Sequence, residues 1–444
     1  MRLSATHHEA MNYAAKAPLA ATLAAADEDN APIQMGRKTV RSLLVGCAFA
    51  LLVASLWAFA ATAAPQTGAA AAPLNVKIGV IRTIHSRDTI SILDIPAEDD
   101  GVAGAKLAIE DNNTTGKFLN QTFEIADVKL KEGEDPVVAL NALVDQGIGL
   151  ILADVPAAQL LALADAAHGK NILLFNVGAP EDSLREEDCR ANVIHVGPTH
   201  SMLADGLAQY LVWKRWPRWL LIKGSHPQDE LFAAALRRSA KKFGAKIVEE
   251  RVYEDTGGGR RSDSGSVQTQ RLIPTATQSA PAYDVLVAAD ESDVFAGYLP
   301  YRNYDPRPVV GSAGLKPTSW DATHEQWGAI QLQNRFYKLA SRRMNERDNQ
   351  AWVAARIIGE AATRAGSNDP KTLRDYIVGP EFSIAAFKGQ KQTLRSWNQQ
   401  LRQPILLGDG RMIVSVSPQE GFLHQTSELD TLGFDQPETK CKLR

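Results

Sequence analysis

Residue types capable of chemistry are present in this 444-residue sequence, but not in the spacings that catalysis uses. It holds no G-x-S-x-G elbow, no G-x-x-x-x-G-K-[ST] phosphate loop, no H-E-x-x-H zinc motif and no G-x-G-x-x-G opening a helix. Gly147-Ile148-Gly149 lacks the third glycine and runs into a strand pattern, and His324-Glu325 has no second histidine four residues on. Glu98-Asp99-Asp100 and Glu110-Asp111-Asn112-Asn113 offer oxygen donors for a hard cation. The helix expected between them holds the two groups roughly 15 Å apart, so they cannot share one ion, and capping plus a solvated face accounts for them. Trp213, Trp216 and Trp219 interleave with Lys214, Arg215 and Arg218, a mixture that can stack on bases. Their place between a helix and a strand instead predicts that Trp213 and Trp219 pack on a sheet. His200 and His226, at a helix start and after a strand, read either as exposed loop histidines or as hydrogen-bonding groups for an anionic ligand, the former being commoner. Net charge is -3, so nothing global draws the chain to nucleic acid or anionic lipid.

The elements that must position such residues begin after a leader. Arg37, Lys38 and Arg41 precede the apolar stretch Leu43 to Ala64, which ends in Ala61-Thr62-Ala63-Ala64. Basic, apolar and small-residue segments in that order predict a secretory signal over residues 1–64, cleaved after Ala63 or Ala64. An uncleaved anchor has the same hydrophobicity, but the Ala/Pro/Gly-rich stretch from Pro65 to Pro73 favours removal. A start at Met35 gives a more compact leader. Leu44-Val45-Gly46-Cys47 has the form of a lipidation box, yet its apolar run follows the cysteine rather than preceding it. Of the three cysteines only Cys189 and Cys441 survive cleavage, and in an oxidising compartment they are expected to pair. That bond returns the far end of the chain to the first half of the fold.

With 45% hydrophobic residues, the remainder reads as globular. Short apolar runs alternate with helical patterns: Val76 to Ile81, then a helix bearing Val102, Ala105 and Ile109 behind Asp99 and Asp100 as capping charges; Gln121 to Leu130; Asp135 to Asp145; Gly149 to Ala153; Ala157 to Ala167; Ile172 to Val177. A second series runs from Val193 to Val196 through a helix over Thr199 to Trp213, strands Trp219 to Lys223 and Lys246 to Tyr253 around a helix over Asp229 to Phe243, and strands Val285 to Ala289 and Val309 to Gly311. Near-continuous apolar strands separated by helices predict parallel sheets covered on both faces. Glu254 to Pro281 reads as a mobile surface insertion with Gly257-Gly258-Gly259-Arg260-Arg261 at its tip. Helices are expected over Trp327 to Met344 and Gln350 to Arg364, and a hairpin over Ile405 to Val416 turning at Asp409-Gly410. The expected fold is α/β with two Rossmann-like lobes: residues 74–197, completed by about 320–400, and 198–319, completed by about 401–430, with a tail over 431–444.

The doubled α/β rhythm, Ile172-Leu173-Leu174-Phe175-Asn176-Val177-Gly178-Ala179-Pro180, Cys189-Arg190 and Val196-Gly197-Pro198-Thr199 resemble the branched-chain amino-acid (type I) class of periplasmic substrate-binding proteins of ABC transporters. Ala97-Glu98-Asp99-Asp100-Gly101, Tyr298-Leu299-Pro300-Tyr301-Arg302, His324-Glu325-Gln326-Trp327-Gly328 and Leu432-Gly433-Phe434-Asp435-Gln436-Pro437-Glu438 resemble the branch that accompanies PQQ-dependent alcohol dehydrogenase systems. The resemblance implies a periplasmic, non-enzymatic protein of two lobes joined by three crossovers, with a small-molecule ligand in the cleft and an inner-membrane permease as partner. No cofactor is implied.

Open parallel sheets bind ligands beyond the carboxyl ends of their strands. The candidate contacts are therefore Asp154, Asn176, Gly178 and Ala179 on the first lobe and His226 and Asp290 on the second. Amino-acid binders of this family hold the α-carboxylate with small hydroxyl residues, and Ala153-Asp154-Val155-Pro156 and Asn176-Val177-Gly178-Ala179 have none. Asp154 is expected to repel a carboxylate, leaving cationic, polyol, aromatic and metal-linked ligands open. An accessory protein docking on a dehydrogenase or cytochrome is the alternative from another class. A metal enzyme built on the acidic loop of Asp99 and Asp100 is the third.

Overall fold

The computed structural model describes residues 73–83, 95–131, 133–255 and 263–443; the leader with Cys47 and the Gly257–Arg261 tip lie outside them. The first sheet is built from β1 (Leu74–Thr83), α1 (Val102–Leu119), β2 (Gln121–Leu130), α2 (Pro136–Val144), β3 (Leu150–Asp154), α3 (Ala157–Ala167), β4 (Leu173–Asn176) and β5 (Val193–His195). Its strands run in the order β2-β1-β3-β4-β5, all parallel. Every residue of β3 and β4 is buried, as apolar strands with helices on both faces require.

The chain then forms α4 (His200–Trp213), β6 (Arg218–Gly224), α5 (Pro227–Phe243), β7 (Lys246–Tyr253), α6 (Asp263–Thr277), β8 (Val285–Ala289) and β9 (Val309–Gly311). This second sheet is also parallel, in the order β7-β6-β8-β9. After β10 (Lys316–Thr318) the chain returns to the first lobe as α7 (Ala329–Ala340), α8 (Glu346–Ala365), α9 (Pro370–Ile377) and the small hairpin β11 (Ile384–Ala385) and β12 (Lys391–Gln392). It ends in the second lobe with β13 (Ile405–Gly408) and β14 (Ile413–Ser417), antiparallel to each other and, through β13, to β10.

Three crossovers join the lobes. Val196, Trp320 and Leu401 belong to one apolar core, while Met202, Val310 and Ile405 belong to the other, so the chain changes core between each pair. Backbone groups in this zone are far from water and need protein partners. Gln403 Nε2 donates to Val196 O at 2.7 Å, Gln400 Nε2 and Arg185 Nη2 to Gly197 O at 3.1 and 3.0 Å, and Gln350 Nε2 to Ser319 Oγ at 3.0 Å. Behind them Lys388, fully enclosed, donates from Nζ to Gln403 Oε1 at 2.7 Å. Burial pulls the Lys388 ammonium down to about 7 despite the favourable charge of Glu346.

The tail over residues 427–443 is bound to both lobes. On the second lobe, Asp205 Oδ2 accepts from Gly433 N at 2.8 Å, Arg238 and Lys242 donate to Gly433 O, and the Arg238 guanidinium lies 4.0 Å over the Phe434 ring. On the first, Arg395 bonds Asp430 Oδ1 at 2.9 Å and Leu432 O at 2.6 Å, while Glu186 accepts from Lys440 N at 2.6 Å. The Cys189–Cys441 disulfide completes the strap, as the sequence leads one to expect.

Several local expectations are corrected. Asp99 and Asp100 do not cap α1, whose N-cap is Gly101; their carboxylates instead bond Arg342 and Asn345. The stretch read as an insertion contains α6, because Ile273 and Thr277 are buried against the second lobe. Trp219 is buried, but Trp213 is 53% exposed, its ring beneath the Lys214 ammonium rather than on the sheet. The single helix expected over Trp327 to Met344 is shorter, bounded by left-handed Gly328 and Ser341.

Two predictions follow from the crossovers and the strap. Cys189→Ser/Cys441→Ser should lower unfolding free energy by up to about 5 kcal/mol, since the bond closes a loop with a sequence separation of 252. Urea denaturation of the double variant, which should no longer respond to reductant, checks this. Lys388 titrates near 7 folded and near its ordinary 10.5 unfolded, so the unfolded chain binds more protons between those values and wild-type stability gains from this group as pH rises. Lys388→Met should therefore stabilise most at pH 6, with its advantage shrinking by pH 9.5.

Candidate functional site

The first crossover leaves from the carboxyl end of β5 and the second from β10, which is held against the carboxyl end of β9 by the bond from Gly311 N to Leu315 O at 3.0 Å, so strand ends lie beside the crossovers in both lobes. At the end of β3, Asp154 is 7% exposed. A Cβ on Gly178 would fall 2.5 Å from Asp154 Oδ1, so the close approach of these two loops is what requires glycine there. Arg347, in the first turn of α8, reaches over both loops. Its Nη1 lies 3.4 Å from Asp154 Oδ1 and donates to Val177 O at 3.1 Å and to Gly178 O.

Asn176 and Ala179 close the β4 turn on themselves. Asn176 Oδ1 accepts from Gly178 N and Ala179 N at 3.1 and 2.9 Å, and its Nδ2 donates to Ala179 O at 2.8 Å and to His195 Nδ1 at 3.2 Å. Burial holds His195 well below its usual pKa, keeping it neutral and able to accept that bond. Arg185, pulled down to about 10 by burial, adds Nη1 to Ala179 O. The Asn176 amide thus shapes the loop rather than projecting from it.

Around the floor runs an ion-pair girdle. Arg342 grips Asp348 with both terminal nitrogens and bonds Asp99 Oδ1 through Nε at 2.9 Å. Burial is the largest influence on both partners: it raises Asp348 to about 6, whereas for Arg342 the bonds and charges of Asp348 and Asp99 outweigh it and raise the guanidinium. Arg82 bonds Asp127 in bidentate fashion, at 2.8 and 2.9 Å. The second acidic group is likewise spoken for: Asp111 accepts from Arg335 and Trp352 Nε1, and Asn112 donates to Ala355 O. Among the described residues no group of three or more His, Cys, Asp or Glu is arranged to hold a metal ion.

On the second lobe, His226 Nε2 lies 2.8 Å from Asp255 Oδ2, and its backbone N–H is taken by buried Asp229. Asp290 is pushed up to about 6 by burial, although its oxygens accept from the backbone of Val294, Phe295 and Ala296. It organises the loop after β8. His200 is buried at the start of α4, its ring 5.9 Å from that of Phe232. A groove of about 500 Å³ lined by His168, Asn171, Asp369 and Lys371 lies at the opposite edge, where β4 begins.

The residues that sequence reasoning missed are Arg342, Arg347 and Asp348. Their signal was present in Asn345-x-x-Asp348, a reciprocal capping box that starts α8 and so aims Arg347. Gly104 lets α1 approach that turn, since a Cβ there would fall 1.8 Å from Asp348 O.

Two parallel sheets and three crossovers define a two-lobed α/β fold, similar to that of the type I periplasmic binding proteins. Residues 75–263 match the sequence model of the periplasmic binding protein family. No curated protein sequence matches the chain. Among solved structures, a branched-chain amino acid ABC transporter periplasmic ligand-binding protein from Burkholderia xenovorans LB400 is similar at 18% identity and TM-score 0.66, over 83% of this chain and 99% of that one. An amino acid ABC transporter substrate-binding protein from Pseudomonas fluorescens Pf-5 is similar at 12% identity and TM-score 0.61, over 84% and 100%. The branched-chain amino acid transporter substrate-binding protein of Streptococcus pneumoniae, in complex with isoleucine, is similar at 12% identity and TM-score 0.58, over 77% and 99%. No helix among the described residues is long and apolar enough to cross a membrane.

Gly104→Ala should cost about 3 kcal/mol, as overpacking against backbone does. The shift should be largest in hydrogen exchange at the start of α8, with the second lobe unchanged; uniform exchange would refute the link between that contact and the floor.

Proposed function

We propose that the chain is the periplasmic solute-binding component of an ABC importer, holding a small molecule between its lobes and presenting it to an inner-membrane permease. The observation that carries this reading is the pair of parallel sheets whose strand ends adjoin three crossovers, a geometry suited to hinge closure over a ligand. The leader of residues 1–64 supplies the export that a periplasmic site needs. The rim that meets the solute is formed by the loops carrying Asp154, Asn176, Gly178 and Ala179 in the first lobe and His226 and Asp290 in the second. Binding and release are the whole of the role, with no bond made or broken.

The segments Ala97–Gly101, Tyr298–Arg302, His324–Gly328 and Leu432–Glu438 support a finer reading, in which the importer serves PQQ-dependent alcohol oxidation. Its expected consequence is that the protein becomes more abundant during growth on alcohols, which quantitative proteomics reads directly.

The binding role is tested by mass spectrometry of the denatured protein for a co-purified small molecule and by small-angle scattering with and without it. One bound molecule per chain and a smaller radius of gyration in the bound form are expected. A chain that carries nothing and keeps one radius with amino acids, organic acids, alcohols, PQQ and lanthanide ions would overturn it.

A further inference from the structure

The donors and acceptors of the first-lobe floor do not balance. Asp154 Oδ1, Val177 O and Gly178 O all face Arg347 Nη1, and Ala179 O is shared by Asn176 and Arg185. Asn176 Oδ1 is taken by two backbone N–H groups. The strand-end acceptors of β3 and β4 are thus engaged. Arg347, by contrast, bonds through Nη1 alone; its Nε and Nη2 make no hydrogen bond with a described residue, and its side chain is 27% exposed. What remains on offer is one planar guanidinium edge with parallel N–H groups, the fork that matches a carboxylate.

Asp154 does not repel an anion in this setting, because Arg347 stands over it as counter-charge. The same engagement works against an amino acid. An α-ammonium stands one carbon from its carboxylate, so it needs an acceptor close to the group that holds the carboxylate, and a cation placed beside an arginine without one is unfavourable. Resting on the solute-binding reading above, we propose that the solute is a small carboxylic acid lacking an α-ammonium group, selected by the Nε–Nη2 edge of Arg347. The residue sits on a helix of the first lobe rather than on either strand-end loop.

The test is calorimetric titration of the full chain with butyrate, 4-methyl-2-oxopentanoate and benzoate, with 1-butanol and benzyl alcohol as neutral counterparts, and with leucine. Wild type is expected to bind at least one of the acids and to prefer it to the alcohols and to leucine. Arg347→Gln should weaken that acid about 30- to 100-fold, the weight of a charge-assisted pair of bonds, without weakening the alcohols. Because Arg347→Gln also removes the counter-charge of Asp154, Arg347→Lys and Arg347→Met/Asp154→Asn are measured beside it. Lysine should recover part of the acid affinity, and the double variant should stay folded yet show no preference for acids. Wild type that binds leucine or an alcohol at least as tightly as every acid, or an acid that binds wild type and Arg347→Gln with equal affinity, would overturn this proposal and leave the solute-binding reading standing. Failure of wild type to bind any of the acids would overturn this proposal, and the solute-binding reading falls with it only where the co-purification and scattering tests above are negative as well.

Discussion

The structure depends on satisfying the backbone of three chain segments that pass between two apolar cores. Each crossover carries carbonyls into a zone that water does not reach, and an unpaired one there costs as much as a lost hydrogen bond. Glutamine is the side chain that answers this, because one amide both donates and accepts: Gln403 donates to Val196 O and accepts from Lys388. Gln350 ties the second crossover at Ser319 while packing against Gly197 of the first. The lobes are therefore joined by directional bonds, which define an axis, rather than by an apolar surface, which would allow them to slide.

The same helix that secures the crossovers also builds the floor. Along α8, Glu346 accepts from Ser319, Arg347 covers the β3 and β4 loops, Asp348 anchors Arg342 and Gln350 reaches the crossovers. Any rotation of the lobes about the crossovers is referred to one rigid element, and the guanidinium is carried with it. Its local charge is balanced by Asp154, so what it presents is donor geometry more than net charge.

The sheets were legible because burial on both faces leaves an unambiguous mark. Gln121–Leu130, Ala157–Ala167 and Val285–Ala289 fall on the same residues in sequence and structure, since each is an apolar run or stripe bounded by turn residues. The strand ends were legible too, and with them the neighbourhood of Asp154 and Asn176. What their side chains do there was not, because it is set by partners far away in sequence: Arg347 meets Asp154 across the whole second lobe, and Arg342 meets Asp99 at a separation of 243 residues. Arg342 and Arg343 fall at the end of the helix expected over Trp327 to Met344 and Arg347 between the two expected helices, where no local pattern supplies a partner. Trp213 fails in the opposite sense, since an aromatic residue beside a buried strand reads as core while its ring lies outside. The helix α6 was hidden by its polar composition, for among its described side chains Ile273 and Thr277 are buried and Ala276 packs beside them while the rest stay at least partly exposed.

The strap has a temporal side. Cys189 precedes the first crossover, whereas Cys441 follows β14, the last strand of either lobe. Synthesis runs from the amino end, so the sulfur that fastens the first lobe emerges only after every strand of both sheets has been made. The staple therefore closes only after the sequence of both lobes has been made, and until then the growing chain is unfastened.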